Sequence, residues 1–265
     1  MRGAHPGKNA GSADPTVFEI IPPFDENGSK GAVIRREARR AARSPEAPAV
    51  PDEPDVRFIS GISTAVAITH FTPQLIGRGG GRSVVLAAAY RHCARMEHEA
   101  EARTVDYTGK RGMIHEAFLL PPNAPAWAKA LVADRSVAGS SEAFWNRVEV
   151  FETRADAQFA KEFIVALPVE LSREQNIALV DAFVETQVLA RGQVADWVYH
   201  NDPGNPHVHL MTSLRPLTED GFGGKKVVAI GEDGRPLRNA AGKIVYRLWS
   251  GDRSEFLEQR QAWLD

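Results

Sequence analysis

The feature that most constrains this chain is the ten-residue stretch from His200 to His209, H-N-D-P-G-N-P-H-V-H, which holds three of the chain's eight histidines. His207 and His209 are two residues apart, so in a strand both rings project from the same face. Asn201 to Pro206 is rich in Asn, Asp, Pro and Gly, the residue types of tight turns. The runs Val194–Tyr199 and Val208–Leu214 on either side read as strands. The stretch therefore predicts a hairpin in which His200 ends one strand and His207 opens the next, bringing three imidazoles to one point. Imidazole is a common metal ligand, and three protein nitrogens with an open coordination position describe a catalytic metal site. A lone H-x-H would suit a polar hairpin without metal; the third histidine across the loop favours the metal.

The rest of the chain has to supply a scaffold. Residues 1 to about 60 are dominated by Pro, Gly, Ser and charged side chains and predict a disordered N-terminal extension and linker, with an Arg-rich patch at Val33–Arg43. Residues 61–265 predict an ordered domain. Its first strand is expected at Ala65–Phe71, followed by a glycine-rich loop at Gly77–Gly81. Ser83 is a good N-cap for a helix from Val84 to about Ala102, whose first two turns carry only small or apolar side chains. A strand follows at Ile114–Leu120, then a short helix capped by Asn123. Further helices and strands are expected at Ser141–Gln158 (helix), Phe159–Leu167 (strand) and Ser172–Arg191 (helix). Ser172 and Gln175 form a capping box there, and Gly192 is the stop. The histidine hairpin, an irregular hairpin within Val227–Trp249 and a helix from Ser254 complete the order. This order predicts an α+β fold, a central mainly antiparallel β-sheet with helices packed on it, with the histidines mid-sheet on its open face.

A single cysteine, Cys93, excludes an intrachain disulfide and any Cys-rich zinc module. No apolar run is long enough to span a membrane and no secretory leader is evident, which makes the cytoplasm the expected location. The spacing of Gly77–Gly81 does not fit a nucleotide-binding loop. The net charge of −2 argues little about nucleic acid. Its distribution says more: Arg78–Arg111 and Arg215–Arg247 each hold seven basic and four acidic residues, so the basic surplus lies around the candidate site. Three histidines on a metal suit hydrolysis by a bound water or transfer of a phosphoryl group. For the second, Tyr90 is a candidate nucleophile. A phenol with an ordinary pKa of about 10 needs a metal or a base to attack at neutral pH. Packing in the core is the competing role for that side chain.

Five motifs in order give a resemblance. They are G-R-S-V-V-L-A-A-A-Y-R (Gly81–Arg91), D-Y-T-G-K (Asp106–Lys110), F-W-N-R-V-E (Phe144–Glu149), A-K-E-F-I-V-A-L-P (Ala160–Pro168) and the histidine stretch. Together they resemble the MobA/MobL relaxases of plasmid mobilisation, which are HUH endonucleases named for the His-hydrophobic-His that His207-Val208-His209 matches. The likeness runs from about Ala65 to the C-terminus.

The resemblance implies metal-dependent, strand-specific nicking of DNA at a transfer origin. Tyr90 falls on the family's nucleophile, which leaves a 5′-phosphotyrosine and a free 3′-hydroxyl. His200, His207 and His209 fall on its metal ligands, which hold Mg²⁺ or Mn²⁺; imidazoles by themselves favour Mn²⁺, Ni²⁺ or Zn²⁺. Glu162 matches a family acidic residue and is a catalytic candidate, as proton acceptor for Tyr90 or as partner to a histidine; Asp202 is a second such partner or simply a turn residue. Arg78, Arg82, Arg215, Lys225 and Lys226 are candidate phosphate contacts. Phe222 and Trp249 are candidates for stacking on bases, with core packing the alternative. The implied partners are single-stranded or hairpin DNA at the origin, relaxosome accessory proteins and a type IV secretion coupling protein.

Two departures stand out. An extension of about 60 residues precedes the first strand, and the chain stops in a helix, as a relaxase domain truncated at its C-terminus would. Competing readings are an inactive truncated DNA-binding module and an HUH rolling-circle initiator, whose tyrosine usually follows the H-x-H whereas Tyr90 precedes it. A cupin-type metalloenzyme fits poorly with the long helices predicted at Val84 and Ser172.

Overall fold

Period-two alternation along the histidine strand sets the architecture. In the computed structural model, which describes residues 70–202 and 205–265, this strand is β7 (Asn205–Ser213). Val208 and Leu210 point into one core and Met211 into another on the opposite face. Four more strands complete the sheet: β1 (Phe71–Gly77), β4 (Met113–Leu119), β5 (Gln158–Ala166) and β6 (Ala195–Asp202). Their order is β1-β5-β7-β6-β4, with every neighbouring pair antiparallel. The histidine hairpin thus lies in the interior of the sheet. Its pairing continues to Asp202 opposite Asn205, further toward the turn than the composition of Asn201–Pro206 suggests.

Helices cover both faces. Beneath one face lie α1 (Val84–Arg91) and α3 (Val137–Phe151), packed through Val85, Ala88, Ala89, Phe144 and Trp145 onto Ala160 and Met211. Beneath the other lie α4 (Arg173–Gln187) and α5 (Arg253–Leu264), which join Phe163, Trp197, Val208 and Leu210. Between β4 and α3 comes the short α2 (Ala126–Val132). The α+β sheet is as expected, but the histidine face is not open: it is the face that carries α1, and His200 is only 2% exposed. Among the described residues no helix is long and apolar enough to cross a membrane.

Several ends follow the sequence rules. Ser83 accepts from the backbone N–H groups of Val85 and Leu86, Ser172 and Gln175 form the reciprocal capping box, and Gly192 stands in the left-handed region at φ 78°. Others differ. α1 ends at Arg91 rather than near Ala102. Cys93 turns left-handed at φ 50°, and the chain enters a hairpin, β2 (Arg95–His98) with β3 (Arg103–Asp106). Met96 and His98 are buried while Arg95 and Glu97 are exposed, so tertiary burial selects a two-residue period over the helical propensity of this charged run. α2 starts after Pro125 with no side-chain cap, so Asn123 does not cap it, and α3 begins earlier than expected, capped by Ser136. The first strand lies at Phe71–Gly77. The rest of the strand expected at Ala65–Phe71, and the whole predicted extension with its Arg-rich patch, fall outside the described residues.

A buried polar cluster anchors the end of α1. His92 directs Nδ1 at the Glu116 carboxylate of β4 (2.7 Å) and Nε2 at Asp196 of β6 (2.8 Å). Asp196 also accepts from Ser141 and Trp145 of α3, both at 2.6 Å. Burial by itself would lower the His92 pKa, but the charges and hydrogen bonds of Asp196 and Glu116 outweigh it and raise the pKa from 6.5 to about 9. The ring is therefore an imidazolium that ties α1, α3, β4 and β6 together.

A pKa raised in the folded state stabilises fully below the unfolded value and is lost as pH rises through the folded one. The His92 contribution, on the order of 3 kcal/mol, is therefore complete below pH 6.5 and fades toward pH 9. Urea unfolding across that window should show this loss in the native chain, and His92→Gln should flatten it; equal slopes for the two proteins would contradict the assignment.

Candidate active site

The strand register brings the three histidines together. His200 on β6 is the direct partner of His207 on β7, and His209 follows two residues along the same face. Ring centroids lie 5.6 Å apart for His200 and His207, 5.3 Å for His200 and His209, and 5.1 Å for His207 and His209. One nitrogen from each ring falls within 4.8 Å of the others. The rings face one another, as the hairpin reading requires.

Each ring is oriented by its other nitrogen. Nδ1 of His209 donates to Oε1 of Glu162 at 2.8 Å, and Nδ1 of His207 donates to the carbonyl of Asn205 at 2.8 Å. In both, the lone pair is left on Nε2. Nε2 of His200 donates to the carbonyl of Arg91 at 2.6 Å. Burial, reinforced by the ammonium of Lys110, lowers the His200 pKa to about 3. Burial also lowers that of His209 to about 4 against the pull of Glu162. Both rings are neutral near pH 7, the state in which imidazole binds a metal. Three imidazoles converging on one point, one of them backed by a carboxylate, fit a divalent cation.

Glu162 has no exposed surface. It faces Gln74 across the β1–β5 pair and accepts from the amide of that side chain. The guanidinium of Arg91, the last residue of α1, grips both its oxygens. Arg91 also donates to the carbonyl of Ala87 at 2.7 Å. Burial alone would push the carboxyl up, but Arg91 and the bond from His209 hold it well below the ordinary carboxylate range. Its oxygens are thus taken by Arg91, Gln74 and His209, an arrangement suited to orienting a histidine.

Tyr90 sits one residue before Arg91 and is half-buried. Its ring meets Tyr107 edge-on at 5.4 Å between centroids, and the ammonium of Lys110 lies over its face at 4.1 Å. The same ammonium is 3.2 Å from Nδ1 of His200, so one cation bridges the tyrosine and the histidine cluster. At the other end of α1, Glu149 accepts from Ser83 Oγ at 2.8 Å and from the backbone N–H of Val84 at 3.1 Å. A carboxylate is thus set against the positive end of the helix that carries Tyr90.

The candidate phosphate contacts divide into two groups. Arg78 donates to the carbonyls of Arg154 (2.9 Å) and Glu149 (3.1 Å) and stacks on Phe159. Arg215 pairs with Glu152 and the carbonyl of Gly223, and Lys225 reaches Glu152 and the carbonyl of Gln158. These three are occupied in binding loops to the sheet. Arg82 and Lys226 are exposed, with Arg82 donating to the carbonyl of Gly79 in its own loop at 3.1 Å. Phe222 packs against Trp127, Phe144 and Phe151, which is core packing rather than a base-stacking platform. Asp202 stands on β6 opposite Asn205. The residues that sequence reasoning missed are Arg91, Lys110, His92, Asp196 and Glu149. Arg91 and Lys110 ended two of the matched motifs, and their polar partners are visible only once the strands are in register.

The antiparallel sheet with helices on both faces is a relaxase-like fold. A solved structure from work on the molecular basis of vancomycin resistance transfer in Staphylococcus aureus superposes with a TM-score of 0.59 at 27% identity, covering 74% of this chain and 89% of that one. The family model described as MobA/MobL matches residues 82–265, and the chain belongs to that family of mobilisation and conjugal transfer proteins. It is 62% identical over 200 residues to conjugal transfer protein TraA of Rhizobium radiobacter, which is 76% of this chain and 18% of TraA. It is 31% identical over 191 residues to mobilization protein MobL of Acidithiobacillus ferridurans, which is 62% of this chain and 47% of MobL. The chain thus spans less than two thirds of the length of these curated relatives.

Because Arg91 neutralises a carboxylate that water cannot reach, Arg91→Met should strand a buried charge and destabilise the fold by about 3–5 kcal/mol. Chemical denaturation measures this; a change too small to resolve would mean that Glu162 finds its compensation elsewhere.

Proposed function

We propose that this chain is a relaxase domain that nicks one DNA strand at a transfer origin and keeps the 5′ end as a phosphotyrosine. The observation that carries the reading is the convergence of His200, His207 and His209 beside Tyr90, in a chain of the MobA/MobL family. His200, His207 and His209 would hold a divalent ion, Mg²⁺ or Mn²⁺. Such an ion, when bound, would draw charge from a phosphate oxygen.

The chain's own residues do the rest. The Tyr90 oxygen forms a bond to the scissile phosphorus as the bond from phosphorus to the 3′ oxygen breaks, and the phenol proton is lost as the freed 3′ oxygen gains one. One phosphodiester replaces another, so the step is close to isoenergetic, needs no nucleotide cofactor, and reverses when the 3′-hydroxyl attacks the phosphotyrosine. Glu162 acts through His209, fixing its tautomer and ring angle, rather than as the proton acceptor, since its oxygens are already committed to Arg91, Gln74 and His209. Arg82 and Lys226, exposed on the surface, are the better candidates for holding the DNA backbone. Arg78, Arg215 and Lys225 support the loops around them. Origin DNA in single-stranded or hairpin form is the partner that the chemistry requires, and accessory proteins and a secretion coupling protein would act on the resulting adduct.

The test is incubation with single-stranded oligonucleotides from the cognate origin and Mn²⁺. An SDS-stable protein–DNA adduct should form, disappear in Tyr90→Phe while DNA binding persists, and fail to form in excess EDTA. An adduct in Tyr90→Phe would refute the nucleophile, one at full rate in EDTA would refute the metal, and binding without any adduct would favour a DNA-binding module.

A further inference from the structure

Lys110 ends the polar turn that separates β3 from β4. Its ammonium contacts both halves of the site, 3.2 Å from Nδ1 of His200 and 4.1 Å from the centre of the Tyr90 ring. Counting protons fixes what the contact to His200 is. Nε2 of that ring lies 2.6 Å from the carbonyl oxygen of Arg91, which can only accept, so Nε2 carries the proton. A neutral imidazole has one lone pair left, and in His200 it is on Nδ1. An ammonium has donors and no acceptor. Lys110 therefore donates to the only lone pair that His200 can offer a metal. The other two rings differ. Nδ1 of His207 donates to the carbonyl of Asn205 and Nδ1 of His209 to the Glu162 carboxylate. One corner of the three-imidazole cluster is thus capped by a positive charge belonging to the chain itself.

We propose that Lys110 is a built-in competitor for the metal centre. It caps His200 when no cation is bound, and a divalent ion must displace it to take the third imidazole. This rests on the metal reading given above and adds to it a residue that sets how tightly the ion is held. The ammonium also links metal entry to the nucleophile. A divalent ion and an ammonium cannot share one lone pair and repel at close range, so on displacement Lys110 leaves His200 but remains tethered beside Tyr90. Lys110 is a positioning residue in this scheme, and its effect should be visible without DNA.

The experiment measures Mn²⁺ binding to the full chain at constant neutral pH, following the loss of the free-ion signal in electron paramagnetic resonance. The proteins are the native chain, Lys110→Met, Lys110→Gln and His207→Ala. Removing the ammonium should tighten binding on the order of tenfold in both Lys110 variants, and His207→Ala should weaken it. A merely structural lysine would do the reverse, since its loss would loosen the site. Unchanged or weaker binding in the Lys110 variants, with His207→Ala still weakening it, overturns the competitor role and leaves the metal reading intact. No histidine-dependent binding in any variant overturns both. Long-range ¹H–¹⁵N spectra of the native metal-free chain give a check that needs no Lys110 variant. His200 should carry its proton on Nε2, and a proton on Nδ1 would refute the proposal.

Discussion

Burying a carboxylate is unfavourable unless donors replace the water it loses, so Glu162 dictates the structure around it. It stands on β5 with no exposed surface and draws in a guanidinium from α1, an amide from β1 and an imidazole from β7. That one group fixes the end of α1 against the sheet and the tautomer of His209. Tyr90 immediately precedes Arg91 and so goes wherever the pair with Glu162 is made. The His92 cluster does a similar task two residues on, joining the helix end to β4, β6 and α3. Nucleophile candidate and histidines are held by the same short stretch of helix.

Much of this was legible in the residues. The two-residue spacing of His207 and His209, with His200 across a turn of Asn, Asp, Pro and Gly, was enough to place three rings together. Hydrogen bonds that close within a few residues, such as the Ser83 cap and the Ser172–Gln175 box, were also readable. So was the close packing of α1, since Val84 to Ala89 carries no large polar group. The end of α1 was not. The run from Arg91 to Ala102 has good helix formers, and only the burial of Met96 and His98 against α1 and α3 turns it into a hairpin.

The site's polar partners were hidden for a different reason. Arg91 and Glu162 are 71 residues apart and His92 and Asp196 are 104 apart, and no local pattern couples such positions. Charge along the chain did not reveal these contacts either. Of the five basic residues that the sequence suggested for DNA, Arg78, Arg82, Arg215 and Lys225 hold carbonyls or carboxylates of their own chain. Lys110, which the sequence offered only as the end of the D-Y-T-G-K motif, touches the site directly.

The proposed chemistry needs the Tyr90 phenol beside a cation on the three imidazoles, and paramagnetic relaxation reads that proximity directly. With ¹³C-labelled tyrosine, a single equivalent of Mn²⁺ should broaden the Tyr90 ring signals away in the native chain and leave them sharp in His207→Ala. Bound Mn²⁺ with an unaffected Tyr90 signal would contradict the account.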